Sequence, residues 1–105
     1  MRTEHYVDED GEDQFGKSVD ALSSRARRRV LAAIERMEDG NFGDWKSLGG
    51  QLREHRIHAE GGLRVYYAIQ NDEIILLLIS GMKRSQDRDI RIARERLSDH
   101  ENRQK

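Results

Sequence analysis

The sequence predicts an α+β fold, in which a small antiparallel sheet is backed by two N-terminal helices and followed by a C-terminal helix. Residues 51–80 contain three strand-like stretches separated by the turn signals Glu60-Gly61-Gly62 and Asn71-Asp72. Residues 26–37 and 86–97 instead carry apolar side chains at helical spacing. Together with a weaker strand and a short helix near the N-terminus, these patterns predict the order β-α-α-β-β-β-α.

Length and composition limit the architecture to one domain, residues 1–105. The chain has 105 residues, of which 35% are hydrophobic and 37% charged, enough for one modest core. It has no cysteine, which excludes disulfides and cysteine-ligated metals and suits a reducing compartment. The longest apolar run, residues 74–79, is too short to span a bilayer, and no signal-peptide pattern is present. We therefore expect a cytoplasmic protein without membrane contact.

Charge is distributed unevenly along the chain. The formal net charge is −1, but residues 1–22 hold two basic and seven acidic side chains, and residues 23–105 hold seventeen basic and thirteen acidic ones. An acidic leader on a basic body can still present a local positive surface to phosphate groups. The net charge alone therefore does not exclude a nucleic-acid ligand.

The acidic leader, residues 1–14, contains a weak strand pattern at residues 3–7 that ends in an acidic turn. Phe15, Val19 and Leu22 follow at i, i+4 and i+7 and predict a short helix. The next helix has the strongest signal, because Ser23 or Ser24 can cap it and Gly40 can end it. Its apolar stripe consists of Ala26, Val30, Ala33, Ile34 and Met37.

The opposite face of this second helix carries four arginines, Arg25, Arg28, Arg29 and Arg36. Such a face is most often simply solvated, and the alternative is a docking surface for an acidic partner or ribosomal RNA. The segment that follows, residues 41–50, is rich in glycine and predicts a loop. In it we expect Phe42, Trp45 and Leu48 to pack beneath the sheet edge, while Lys46 points outward.

Period-two alternation divides the side chains of residues 51–70 between two faces. One face receives Ile57, Leu63, Val65 and Tyr67 and predicts the core side. The other receives Glu54, Arg56, His58, Arg64 and Tyr66. The third strand, residues 73–80, is apolar on both faces and predicts a central strand.

A basic loop with Lys83 and Arg84 follows the third strand, and Ser85 can cap the last helix. We expect this helix to run from about Gln86 to Leu97, with Ile90, Ala93 and Leu97 facing inward. Residues 98–105 are polar and predict a frayed tail. The four histidines are scattered without metal-ligand spacing, so neither a metal nor another cofactor is expected.

Five sequence segments resemble the RelE/ParE superfamily of toxins, and among them the HigB-like, phage-derived (Gp49-like) addiction module killer proteins. The segments are GNFGDWKSLG (40–49), REHRI (53–57), GGLRVYYAI (61–69), LLLISGMKRSQ (76–86) and DIRIARERL (89–97), in family order and at family spacing. The resemblance implies the RelE-like fold and the toxin of a type II toxin–antitoxin system. It further implies a helix-turn-helix (HigA-like) antitoxin as partner, which alone would connect the toxin to DNA.

RNases of this superfamily cut mRNA on the ribosome by attack of the 2′-hydroxyl on the adjacent phosphate, which gives a 2′,3′-cyclic phosphate without a metal. The resemblance therefore implies a ribosome-dependent mRNA endonuclease. Such a reaction needs a base, positive charge at the phosphate and an acid. The candidate catalytic residues are Arg64, Lys83, Tyr66, Arg56 and His58, and the candidate substrate-binding residues are Lys46, Glu54, Gln86 and Asp89.

Within this hypothesis Arg56 and Arg64 neutralise the phosphate, and Lys83 adds charge or donates a proton. Tyr66 stacks on a base or assists proton transfer, and His58 or Glu54 acts as general base. Structural roles compete with these functions: Arg56 could pair with Glu54 or Asp89, Tyr66 could be a partly buried sheet residue, Gln86 a helix-start residue, and His58 an ordinary exposed residue. Arg64 and Lys83 are the strongest candidates.

Two other functions remain compatible with the sequence. The first is a ParE-like toxin that acts on DNA gyrase without cleaving RNA. The second is a binding module that has lost toxicity, suggested by Leu63 and Met82 at positions where the family usually has an aromatic and an acidic residue. The ribosome and mRNA are partners only in the RNase hypothesis.

Overall fold

A computed structural model describes residues 1–104 as one α+β domain with five strands and three helices. In chain order these are β1 (Arg2–His5), α1 (Gln14–Asp20), α2 (Ser24–Glu38), β2 (Asp44–Ser47), β3 (Leu52–Ile57), β4 (Leu63–Gln70), β5 (Ile74–Met82) and α3 (Gln86–Arg103). A 3₁₀ turn, Lys83–Ser85, joins β5 to α3. The predicted α+β class and all seven predicted elements are present, and β2 is an eighth.

The strands form one mixed sheet in the order β1-β5-β4-β3-β2. Strands β2 to β5 pair with their neighbours in antiparallel fashion, whereas β1 runs parallel to β5. The prediction of a purely antiparallel sheet is therefore wrong at β1. A parallel pair needs a long crossover, and the two helices α1 and α2 together with three strands separate β1 from β5.

Helices cover both faces of the sheet, which creates two cores. On the first face, α1 and α2 pack against Ile57, Leu63, Val65, Tyr67 and Leu77. On the second face, α3 inserts Ala93 and Leu97 against Leu52, Tyr66, Ala68 and Leu76. The predicted division of the β3 and β4 side chains between two faces is confirmed. The second face of the sheet is covered by α3 and is open to solvent only near the β3–β4 turn.

Local sequence signals account for the helix boundaries. The Ser23 side chain accepts a hydrogen bond from the Ala26 N–H and caps α2, and Gly40 follows its end with φ +90°. All five residues of the predicted apolar stripe are buried. No helix within residues 1–104 is long and apolar enough to cross a membrane.

Residues 98–103 continue α3, so the prediction of a frayed tail from residue 98 is wrong for them; Lys105 lies outside the described residues. Tyr6 explains the extension, because its hydroxyl donates a hydrogen bond to Asp99 at 2.5 Å. Arg103 in turn contacts Asp99 at 2.8 Å and donates to the Val7 carbonyl. The polar end of α3 is thus tied to the segment that follows β1.

The predicted loop 41–50 contains the edge strand β2, which pairs with β3 through residues 44–47. Phe42 and Leu48 pack against the cores as predicted. Trp45 does not, because 41% of it is exposed and the Arg53 guanidinium lies 4.3 Å from its ring centroid. A short edge strand flanked by glycines gives little periodic signal, which is why the pattern indicated a loop.

Candidate functional site

A basic groove of about 670 Å³ opens on the α3 side of the sheet, beside the N-terminal start of α3. It contains six of the nine predicted site residues, and we call these six the groove residues. They are Lys46, Arg56, His58, Arg64, Lys83 and Gln86. Four of them are cationic, so the groove suits an anionic ligand.

Strand register explains why these side chains meet. Asp44, Arg56, Arg64 and Gly81 face one another across β2, β3, β4 and β5. Directly opposed residues of antiparallel strands lie on the same face and close together. Arg56 and Arg64 are therefore held side by side, an arrangement that electrostatic repulsion opposes.

Glu54 offsets this repulsion from beneath the groove. Its Oε1 accepts a hydrogen bond from Arg56 Nε at 3.0 Å and lies 4.0 Å from Arg64 Nε. Its Oε2 accepts a hydrogen bond from Gln86 Nε2 at 2.8 Å. Burial alone would raise the pKa of Glu54, but the hydrogen bonds from Gln86 and Arg56 hold that pKa below its ordinary value.

Glu54 is 0% exposed, which corrects the prediction that it contacts substrate or acts as general base. Both of its oxygens are engaged, and no part of the side chain reaches solvent. Its structural role is to fix Arg56 and Gln86. Arg56 does pair with Glu54, as the predicted alternative had it, but with a buried carboxylate and not as a surface salt bridge, and Arg56 also remains part of the groove.

The turn between β3 and β4 fixes Lys83. Gly62 adopts φ +96°, and its carbonyl accepts a hydrogen bond from the Lys83 N–H at 2.9 Å. A Cβ at Gly62 would lie 3.2 Å from Lys83 Cβ, so glycine permits both the backbone conformation and the close approach. The exposed Lys83 thus sits beside Arg64, whose Nη1 donates to the Leu63 carbonyl.

Two predicted site residues lie below the surface. Tyr66 is 0% exposed and packs with α3, so a base cannot stack on its ring and that prediction is corrected. Burial and the neighbouring Glu54 charge raise the pKa of Tyr66 above its ordinary value of 10.0, which opposes proton release. Asp89 is 1% exposed and accepts a hydrogen bond from Ser85 Oγ at 2.6 Å, so it orders the start of α3 and does not contact a ligand directly.

Asp44 is a neighbour of the groove that the sequence reasoning missed. Its Oδ2 lies 2.6 Å from His58 Nε2. The hydrogen bond with His58 holds the pKa of Asp44 below its ordinary value. Recognising β2 as a strand would have revealed the pairing, because Asp44 then lies opposite Arg56, two residues before His58.

Leu63 and Met82, where the sequence departs from the family pattern beside the predicted site, are partners in the β4–β5 register. Leu63 is fully buried in the core on the helix α1–α2 side, and Met82 packs against the same core. Both side chains therefore contribute to the core on the face of the sheet opposite Arg64.

A second basic groove, of about 540 Å³, lies on the other side of the β3–β4 turn. The four α2 arginines line it together with Ala32, Ile57 and Glu60. Within residues 1–104 none of the four arginines forms a salt bridge. We call this surface the arginine groove. Among the described residues, no cluster of histidine and acidic side chains could hold a metal ion.

Comparison with known proteins defines the class of protein that carries this fold and groove. Residues 17–98 match the model of the phage-derived Gp49-like protein family, which is associated with toxin–antitoxin addiction modules. The chain belongs to this family. Membership implies an antitoxin as partner.

An uncharacterized protein of Haemophilus influenzae is similar to this chain at 43% identity over 70 residues. The aligned region covers 67% of this chain and 71% of the relative. The family match includes all six groove residues and all four arginines of the arginine groove. Both surfaces therefore lie in the part of the chain that defines the family.

Proposed function

We propose that this protein is the toxin of a type II toxin–antitoxin module and cleaves mRNA on the ribosome, as a HigB-like member of the RelE superfamily. The observation that carries the proposal is the groove itself, in which Arg56, Arg64 and Lys83 converge beside His58. Three cations suit a phosphodiester whose charge increases in the transition state. The neighbouring imidazole of His58 supplies a ring nitrogen that can accept a proton.

In the proposed reaction, His58 accepts the proton of the ribose 2′-hydroxyl, and the 2′-oxygen attacks the adjacent phosphorus. The bond from phosphorus to the 5′-oxygen breaks, and Lys83 protonates that oxygen, giving a 2′,3′-cyclic phosphate and a 5′-hydroxyl. Arg56 and Arg64 neutralise the phosphorane oxygens through charge-assisted hydrogen bonds. Lys46 and Gln86, at the groove margin, contact the flanking nucleotides.

Primer extension on translated mRNA tests the proposal. Wild-type protein should give codon-phased cuts, and Arg64→Ala or Lys83→Ala should each lower the cleavage rate about 100-fold or more, as loss of a transition-state charge contact does. Arg91→Ala, an exposed α3 arginine outside both grooves, is the matched control and should cleave normally. Absence of phased cuts together with inhibition of gyrase supercoiling would instead identify a ParE-like toxin.

A module without toxicity would give neither result, and growth arrest on induction of the wild type excludes it. Rescue of growth by Arg64→Ala or Lys83→Ala would assign that arrest to the groove. We further propose that the antitoxin is a HigA-like helix-turn-helix protein and that its acidic side chains dock in the arginine groove. The four arginines form no salt bridge within residues 1–104, and this free charge supports the contact.

A further inference from the structure

Two carboxylates near the groove take two different basic partners. Buried Glu54 engages Arg56, although Asp44 is the residue directly opposite Arg56 in the β2–β3 register. Asp44 is left to contact His58 at 2.6 Å. The buried Glu54–Arg56 pair therefore leaves the exposed Asp44 available for the imidazole.

The hydrogen bond between Asp44 and His58 determines which imidazole nitrogen carries no hydrogen. In neutral histidine one ring nitrogen carries the hydrogen and the other accepts hydrogen bonds. A carboxylate can only accept, so it binds the tautomer with hydrogen on Nε2 and leaves the lone pair on Nδ1. Within the described chain, His58 Nδ1 has no hydrogen-bond partner.

We infer that Asp44 is a positioning residue that holds the ring of His58 in the Nε2–H tautomer, with Nδ1 as the nitrogen that accepts the 2′-hydroxyl proton. The inference rests on the proposed function and adds to it the choice of nitrogen and the residue that enforces it. Lys46, Arg56, Arg64 and Lys83 are the other charged groups around the same groove. All four are cations that cannot accept a hydrogen bond from the ring, so Asp44 supplies the acceptor.

Nitrogen NMR of His58 tests the positioning without any activity assay. In the wild type at alkaline pH, where imidazoles are neutral, the ¹⁵N shifts should report hydrogen on Nε2. Asp44→Ala should give a mixture of tautomers, and Asp44→Asn, whose amide oxygen can accept the same bond, should restore the Nε2–H form in large part. Glu60→Ala, which removes an exposed acid from the β3–β4 turn, is the control and should leave the tautomer unchanged. A wild-type Nδ1–H form, or an unchanged tautomer in Asp44→Ala, would overturn the inference.

Single-turnover cleavage gives the second readout. Asp44→Ala should lower the rate about 100-fold, the scale expected from a misplaced catalytic group, and Asp44→Asn should recover most of it. In a His58→Ala background, Asp44→Ala should have no further effect, because Asp44 acts through the ring. An undiminished effect in that background would refute a positioning role. If the wild type cleaves no RNA, the proposed function fails. The NMR measurement still decides whether Asp44 determines the tautomer of His58.

Discussion

The buried side chain of Glu54 holds the groove residues in place from beneath the groove. Glu54 joins Arg56, Gln86 and, at longer range, Arg64 in one network while remaining fully buried. A buried ion pair adds little net stability, yet loss of one partner is costly because it leaves an uncompensated charge. Glu54 therefore couples the geometry of the groove to the stability of the fold.

Glu54→Ala should reduce the free energy of unfolding by about 3–5 kcal/mol, the cost of breaking a buried pair. Urea denaturation followed by circular dichroism measures the change. Glu73→Ala, which removes an exposed carboxylate, should change stability by about 0.5 kcal/mol or less. Equal effects of the two substitutions would show that the buried network adds no stability.

His55 makes stability depend on pH. It is 6% exposed, donates from Nδ1 to the Phe42 carbonyl at 2.8 Å, and burial lowers its pKa below the ordinary 6.5. The unfolded state then binds the proton more readily, so the associated stability is present above pH 6.5 and is lost as pH falls. Between pH 7.5 and 5.5 the urea midpoint of the wild type should drop more than that of His55→Gln, and equal drops would contradict this assignment.

Strand β5 and helix α3 approach each other closely where β5 ends and α3 begins. Gly81 lacks the Cβ that would lie 2.0 Å from Asp89 Oδ2 and 3.3 Å from Ser85 Oγ. The same Asp89 accepts the Ser85 hydroxyl. The glycine thus permits α3 to dock against β5 and, through the turn between them, sets the position of Lys83.

Gly81→Ala should cost about 1–3 kcal/mol of stability, as overpacking does, and should weaken cleavage by displacing Lys83. Asp89→Ala removes the clashing carboxylate, so the double variant should lose less stability than the sum of the two single losses. Chemical denaturation of all four proteins provides the double-mutant cycle. Strict additivity would show that Asp89 is not what makes glycine necessary.

Local pattern predicted the elements with strong periodicity and missed those set by distant contacts. Helix α2 and the two faces of β3 and β4 followed directly from sequence spacing. The pairing of β2, the parallel β1 and the extension of α3 depend on partners such as Tyr6, which lies 93 positions from Asp99. Strand parity predicted that Arg56, His58 and Arg64 share one face, whereas the burial of Tyr66 depends on α3 covering that face.

At the scale of the whole molecule, the β3–β4 turn separates two basic surfaces. His58, Gly61 and Gly62 line the groove on one side, and Ile57 and Glu60 line the arginine groove on the other. The acidic leader carries its charges on a different part of the chain, where Asp13 contacts His5 and Glu12 contacts Lys17. The proposed catalysis and the proposed antitoxin docking would therefore occupy separate surfaces of one small domain.

Charge reversal in the arginine groove should separate toxicity from neutralisation. Arg29→Glu should raise the Kd for the antitoxin at least about tenfold, which corresponds to about 1.4 kcal/mol, because an acidic side chain of the antitoxin would then meet a like charge. Arg91→Glu makes the same change of net charge on the exposed face of α3 and should leave the Kd unchanged. Arg29→Glu should still arrest growth when expressed alone and should continue to do so when the antitoxin is co-expressed at a level that protects cells from the wild type. Equal Kd shifts for the two variants would mean that the effect comes from overall charge, and loss of toxicity in Arg29→Glu would mean that the arginine groove takes part in the toxic reaction itself.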